Sequence, residues 1–203
     1  AVETCDITTV RASVPMYLLA RRVQQDGIRV MLSGEGADEL FAGYAYNRFA
    51  PDPGALFQEC EDKLDNLHAY DCQRANKSCA AWGIECRVPF LDHAVVDFAM
   101  NKLHPREKMW RNMEKEFLRE EFLGALPDHI LMRRKAQFSD AVGKRWIQAC
   151  RKLFDEHTYY KTLYKAMCPH EACLYELETV ACSTSKGAQW LEAKRDPSGE
   201  LEF

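Results

Sequence analysis

No apolar run in this sequence approaches the roughly 20 residues that a membrane-crossing helix requires. No charged-then-apolar leader opens it either. Charge of one sign is also lacking: 27 Lys and Arg stand against 31 Asp and Glu, a net charge of -4. Without a global basic field, neither nucleic acid nor an anionic membrane surface is an expected partner. A local basic pocket or a metal can still invert the field for an anionic ligand. Cysteines are plentiful at nine, but paired cysteines are missing: there is no CxxC, and Cys72, Cys79 and Cys86 are isolated from one another by six residues each. Metal sites and disulfide frameworks favour tighter, paired spacing, so reduced thiols in a cytoplasmic protein are the expectation. Internal repeats and low-complexity segments are absent as well. The sequence opens at Ala1 rather than Met, and Val2-Glu3-Thr4 reads as the end of a strand, so a piece of a longer protein is expected.

What remains is an ordinary globular composition, 47% apolar and 29% charged over 203 residues, enough for one domain or a large part of one. Apolar residues at Val14, Tyr17, Leu18 and Val23 predict a helix, with Ser13 as N-cap, Pro15 in its first turn and Gly27 as its stop. Ile28, Val30 and Leu32 alternate with Arg29 and Met31, which predicts a short strand running into a Ser33-Gly34 turn. Helix, strand, glycine turn and helix in succession mark an α/β unit. Downstream the pattern is mostly helical. Leu56, Cys60, Leu64 and Leu67 form a stripe behind the turn Pro51-Asp52-Pro53-Gly54. Asp92 caps a stripe of Val95, Val96, Ala99 and Leu103. Met113, Phe117, Leu118 and Phe122 make another, stopped by Gly124 and Pro127, and Trp146, Ile147 and Cys150 suggest one more. Beyond about Lys152 the periodicity fades, so 152–203 is expected to be an irregular extension of a domain covering 1–151.

The chemistry concentrates in Leu32-Ser33-Gly34-Glu35-Gly36-Ala37-Asp38-Glu39. Two glycines after a strand permit a sharp turn that brings backbone N–H groups to a ligand, at the strand end where open α/β sheets bind ligands. Three acids there would repel a bare polyphosphate but suit one complexed to magnesium, which prefers carboxylates plus phosphate oxygens. A solvated acidic helix start, favoured by the helix dipole, explains them equally. In Tyr70–Ser78, Arg74 and Lys77 share a helix face. Glu85–Asp92 sets charges beside an apolar turn, and Arg133-Arg134-Lys135 puts three cations before a polar stretch. Such a run is either a solvated face or a clamp for pyrophosphate.

Together and in order, LSGEGADELF, YDCQRANKS, GIECRVPFLD and RRKAQFSDAVG resemble the synthetase domain of class B, glutamine-hydrolysing asparagine synthetases, over about Glu3 to Trp146. The tail residues Val180–Thr184 and Asp196–Gly199 also look like that family's C-terminus. The resemblance implies an α/β fold: an incomplete, doubly wound ATP-pyrophosphatase fold (adenine nucleotide alpha hydrolase-like), predominantly helical in this piece. It implies that the side-chain carboxylate of aspartate attacks the α-phosphorus of ATP, with Mg2+ present, to give β-aspartyl-AMP and pyrophosphate. Ammonia, released from glutamine in an upstream glutaminase domain, then displaces AMP; a homodimer is expected. On matching positions, Ser33 and Gly34 contact the nucleotide. Glu35 assists formation and capture of the acyl-adenylate, Asp38 helps hold magnesium and pyrophosphate, and Lys135 stabilises charge developing on the phosphates. Arg87 is a further metal or pyrophosphate candidate, with an ion pair to Glu85 or Asp92 as its alternative.

The family's Ser-Gly-Gly-x-Asp-Ser pyrophosphate loop is absent from these residues, as is an N-terminal Cys nucleophile. The piece alone is therefore expected to make no asparagine, since positioning supplies up to roughly 7–11 kcal/mol of a two-substrate barrier. Ala141 and Ala42 stand where the family usually has Gly; Ala42 is expected only to fill space. Met167–Glu178 looks shorter than the family norm. Two rival readings are kept: a β-lactam synthetase-like adenylating enzyme, and a truncated relic whose unpaired sheet edge serves as an interaction module.

Overall fold

The computed structural model describes residues 1–109, 113–135, 145–168 and 189–190. The Ala141 position, the Phe138–Gly143 stretch and the tail motifs lie outside them. The chain forms two compact units, one from Ala1–Ser33, Asn66–Arg87 and described residues 145–168, the other from Gly34–Asp65 and Val88–Lys135.

In the first unit, helix α1 spans Ile7–Gln25, and the Asp6 carboxylate caps it by accepting from the Thr9 N–H at 2.7 Å. The predicted cap, Ser13, is instead buried inside the helix, its hydroxyl donating to the Thr9 carbonyl at 2.7 Å. Polar Thr8 and Thr9 hid that first turn from an apolar count. Pro15 lies within the helix. Gly27 ends it with φ 79°, a left-handed conformation that glycine adopts at little cost. Val2–Thr4 is not a strand. Strand β1 is shorter than predicted, Val30–Leu32, and pairs in parallel with β2, Glu85–Arg87, in the register Val30–Glu85, Met31–Cys86 and Leu32–Arg87. α2 is Ala37–Leu40, α3 Pro53–Asp65 and α4 Asp71–Ala80. In the first unit α4 packs along α1 and meets β2; Ala20, Cys79 and Ile84 form its core, with Met31 and Trp82 against them.

Helices α5 (His93–Asp97), α6 (Pro105–Lys108), α7 (Glu116–Glu121) and α8 (Asp128–Leu131) belong to the second unit. The Asp92 cap holds as predicted, its carboxylate accepting from the Ala94 N–H at 2.9 Å. The core there is Leu40, Phe41, Ala99 and Leu103 with Phe90, Phe117 and Leu118 around it, and the predicted stripe residues Leu56 and Cys60 pack with Ala42. Ala42 does more than fill space: its φ is 51°, a left-handed conformation that costs a residue with a Cβ about 1–2 kcal/mol.

The fading periodicity after Lys152 did not mean irregular chain throughout. Helix α9 covers Arg145–Leu153, and α10 covers Glu156–Met167 behind the cap Asp155. α10 buries Tyr164 and is tied to α1 by charge. Buried Glu156 accepts from Arg11 Nε at 3.0 Å and also from its Nη2. Those Arg11 hydrogen bonds hold the Glu156 carboxyl below its ordinary 4.5. A depressed carboxylate stabilises the fold above its unfolded value and loses that contribution as pH falls through the folded value. Urea titrations across pH 3–7 should therefore show the wild type losing about 1 kcal/mol more than Glu156→Gln below pH 4.5.

Lys108 is fully buried in the second unit. Its ammonium has Met100 Sδ at 3.6 Å and the Phe57 ring centroid at 5.9 Å. Burial lowers its pKa, and burial pushes the nearby Cys60 thiol up to about 11, so Cys60 stays protonated and unreactive at neutral pH. A sulfur and a ring compensate poorly for lost hydration. Lys108→Met is expected to raise stability by about 1–2 kcal/mol. The gain should shrink as pH climbs towards 10.5, where the lysine sheds its charge in the unfolded chain too. Paired thermal melts at pH 7 and pH 9.5 measure both effects.

Candidate functional site

The glycine turn is built as its sequence suggests. In the first unit, the Ser33 N–H donates to the Arg87 carbonyl at 2.8 Å, extending the β1–β2 pairing to the end of the strand. In the second unit the Ala37 N–H donates to the Gly34 carbonyl at 3.3 Å. Gly36 takes φ 90°, and a Cβ on it would lie 2.3 Å from Leu91 Cδ2, so only glycine fits. The turn thus delivers Glu35, half-buried, and then α2.

The three acids take three different places. Glu39 is 3% exposed, and its carboxylate accepts from the Tyr44 hydroxyl, which makes it part of the core. Asp38 carries two lysines. Lys135 donates to its Oδ2 at 2.5 Å, and Lys115 Nζ lies 2.8 Å from its Oδ1. Oδ1 is buried and has no aligned hydrogen bond; its contact with Lys115 is an ion pair without that geometry. A solvated acidic helix start is therefore not what this segment is. Nor is the cationic run wholly a solvated face: Arg133 and Arg134 are exposed, but the Lys135 side chain is only 25% exposed and turned onto Asp38.

Sequence reasoning missed Lys115. Its side chain is 24% exposed, and its backbone is left-handed at φ 55°, ψ 38° just before α7. A non-glycine residue held there is uncommon and occurs where surroundings enforce it. Hydrophobic periodicity carries no trace of φ, so a single Lys ahead of the Phe117–Leu118 stripe reads as an exposed helix start.

In the first unit, Arg87 pairs with Glu85 at 2.7 Å, both largely exposed, which is the ion-pair alternative. Arg74 and Lys77 are likewise engaged, by Asp71 and Glu3, each at 2.7 Å. Of the sequence candidates, then, the second unit joins Asp38 to Lys135 and places Glu35 three residues before Asp38; the first joins Ser33 to Arg87 through main chain. Among the described residues no three His, Cys, Asp or Glu gather as a metal site. No described helix is long and apolar enough to cross a membrane.

The turn thus ends in an acid that holds two ammonium groups. The family model for asparagine synthase matches residues 1–55 and 50–180. The chain is 43% identical to asparagine synthetase B (glutamine-hydrolyzing) of Escherichia coli strain K12, over 98% of its own length and 41% of that protein's. It is 40% identical to the root asparagine synthetase (glutamine-hydrolyzing) of Pisum sativum, over 98% of itself and 40% of that protein. It thus spans about two fifths of the length of these relatives. The first alignment extends over 229 positions, more than the 203 residues available, so the relative carries residues in this span that the chain lacks. These relatives do not favour the β-lactam synthetase or relic readings. The chain belongs to the asparagine synthase family.

Proposed function

We propose that this chain forms part of an enzyme that activates aspartate with ATP and converts it to asparagine with ammonia derived from glutamine. The observation that carries this reading is the Asp38 carboxylate with Lys135 and Lys115 on its two oxygens, one turn after the glycine bend. Two ammonium groups converging on one acid leave a local excess of positive charge in a chain whose net charge is -4. Released from Asp38 by a stronger anion, they are placed to meet two phosphate groups.

In the proposed reaction the aspartate side-chain carboxylate attacks the α-phosphorus and pyrophosphate departs. Ammonia then attacks the acyl carbon and AMP leaves. Lys135 and Lys115, once drawn from Asp38 to the phosphates, stabilise the charge that grows on the departing pyrophosphate. Ser33 and Gly34 hold the nucleotide. Glu35, at the bend, takes the proton that ammonium must lose before it attacks.

Mg2+ fits Asp38 through the Oδ1 that lacks an aligned hydrogen bond. One carboxylate plus phosphate oxygens is a common magnesium arrangement, and no larger donor cluster occurs among the described residues. When bound, the ion supplies charge neutralisation on the phosphates. Arg87 is placed in this proposal as a secondary pyrophosphate contact. The parallel β1–β2 pair supports the doubly wound ATP-pyrophosphatase sheet, because Val30 and Leu32 are exposed, Leu32 by 70%, whereas parallel strands are normally covered on both faces. A glutaminase domain, a second copy in a homodimer and a cytoplasmic location complete the proposal.

Product analysis tests it. The protein containing this chain, given aspartate, ATP, Mg2+ and ammonia, should release AMP, pyrophosphate and asparagine in equal amounts. ADP with phosphate, or AMP without asparagine, would rule the reading out.

A further inference from the structure

The two lysines on Asp38 come from separate segments, the turn before α7 and the residues after α8, and a single side chain ties those segments together. Arg119, in α7, donates from Nε to the Glu114 carbonyl at 2.6 Å. It donates from Nη1 to the Leu131 carbonyl, and from Nη2 to the Arg133 carbonyl at 2.9 Å. Glu114 immediately precedes Lys115, and Arg133 stands two residues before Lys135. A planar guanidinium offers fixed, forked donors, so binding three carbonyls at once sets the distance and angle between the segments that bear them.

We infer that Arg119 is a positioning residue that sets the spacing of Lys115 and Lys135. Its side chain touches neither lysine side chain among the contacts described; it acts through the main chain of residues that precede them. Glu114 and Lys115 need such a strut. Lys115 is held left-handed, a conformation that costs about 1–2 kcal/mol, and residues 132–135 follow α8 with no helix of their own to fix them. An ammonium group on a flexible stem has three donors on one atom and cannot reach three separated carbonyls. The functional meaning of this spacing rests on the proposal that the two lysines receive phosphate groups; the spacing itself does not.

The test is lysine acetylation of the protein containing this chain by an N-hydroxysuccinimide ester, read residue by residue by mass spectrometry, in wild type and Arg119→Lys. Arg119→Gln is run beside it, so that poor folding of one variant leaves the other readable. Loss of the strut, at least two of its three hydrogen bonds from a charged donor, is expected to raise the labelling rates of both Lys115 and Lys135 by about tenfold. Buried Lys63 and Lys108 should be unchanged. Unchanged rates at Lys115 and Lys135, or a rise at only one of them, would overturn the inference. So would an equal rise at Lys63 and Lys108, which would mark Arg119 as a general stabiliser. No nucleotide enters this experiment, so its failure is separable from failure of the phosphate reading, which is decided by products.

Discussion

Changing Lys135 to methionine will lower asparagine formation by about 10²–10³-fold, the usual consequence of removing one placed charge from a transition state. Methionine keeps the length of the side chain and removes the ammonium group that donates to Asp38 Oδ2 at 2.5 Å. In the proposed reaction the charge facing Lys135 is greatest as pyrophosphate departs, so the loss should fall on kcat more than on the KM for ATP. Stability should change little, because Asp38 retains Lys115 at 2.8 Å and the Lys135 side chain is partly exposed. Steady-state rates of AMP release, with a thermal melt on the same sample, separate the two effects. A fall in KM and kcat together with unfolding would mean that Lys135 is structural.

Gly43→Ala will be the most damaging small substitution near the site. A Cβ there would stand 2.0 Å from Asp38 Oδ1 and 2.7 Å from Asp38 Cα. The carboxylate can swing aside, but the Cα cannot, because the Gly43 N–H donates to the Asp38 carbonyl at 2.7 Å and pins the two backbones together. Forcing them apart costs about 3 kcal/mol, the upper part of the range for overpacking. In a chain of this length that corresponds to a fall in melting temperature of roughly 6–12 °C. Asp38 should move as well, carrying both lysines out of register, so activity should fall even at temperatures where the variant is folded. Unchanged melting would show that the close approach of Gly43 to Asp38 is not what holds the acid.

The strand, the bend and α2 were legible because glycine and alternating apolar residues leave direct marks: Val30–Leu32 and Gly36 lie where the pattern puts them. The Asp38–Lys135 pair was legible only through the resemblance, since the partners are 97 positions apart and no periodicity links them. Lys115 and Arg119 were not legible at all. The first depends on a left-handed backbone, the second on carbonyls, and side-chain identity encodes neither. Helix α10 escaped for another reason. Its buried residues are Glu156, paired with Arg11, and Tyr164, so hydrophobic periodicity, which registers apolar faces alone, had little to detect. The N-terminal cap was misplaced by seven residues because Thr8 and Thr9 dilute the apolar stripe, while Asp6 satisfies the helix start without any apolar partner.

Isotope transfer from aspartate bears most directly on the chemistry assigned to this fold. Aspartate labelled with ¹⁸O in both oxygens of its side-chain carboxylate is supplied with ATP, Mg2+ and ammonia, and the phosphorus products are examined by mass spectrometry. Attack on the α-phosphorus predicts AMP carrying one ¹⁸O, with the other retained in the amide of asparagine. Label in inorganic phosphate beside ADP, or AMP free of label, would contradict it.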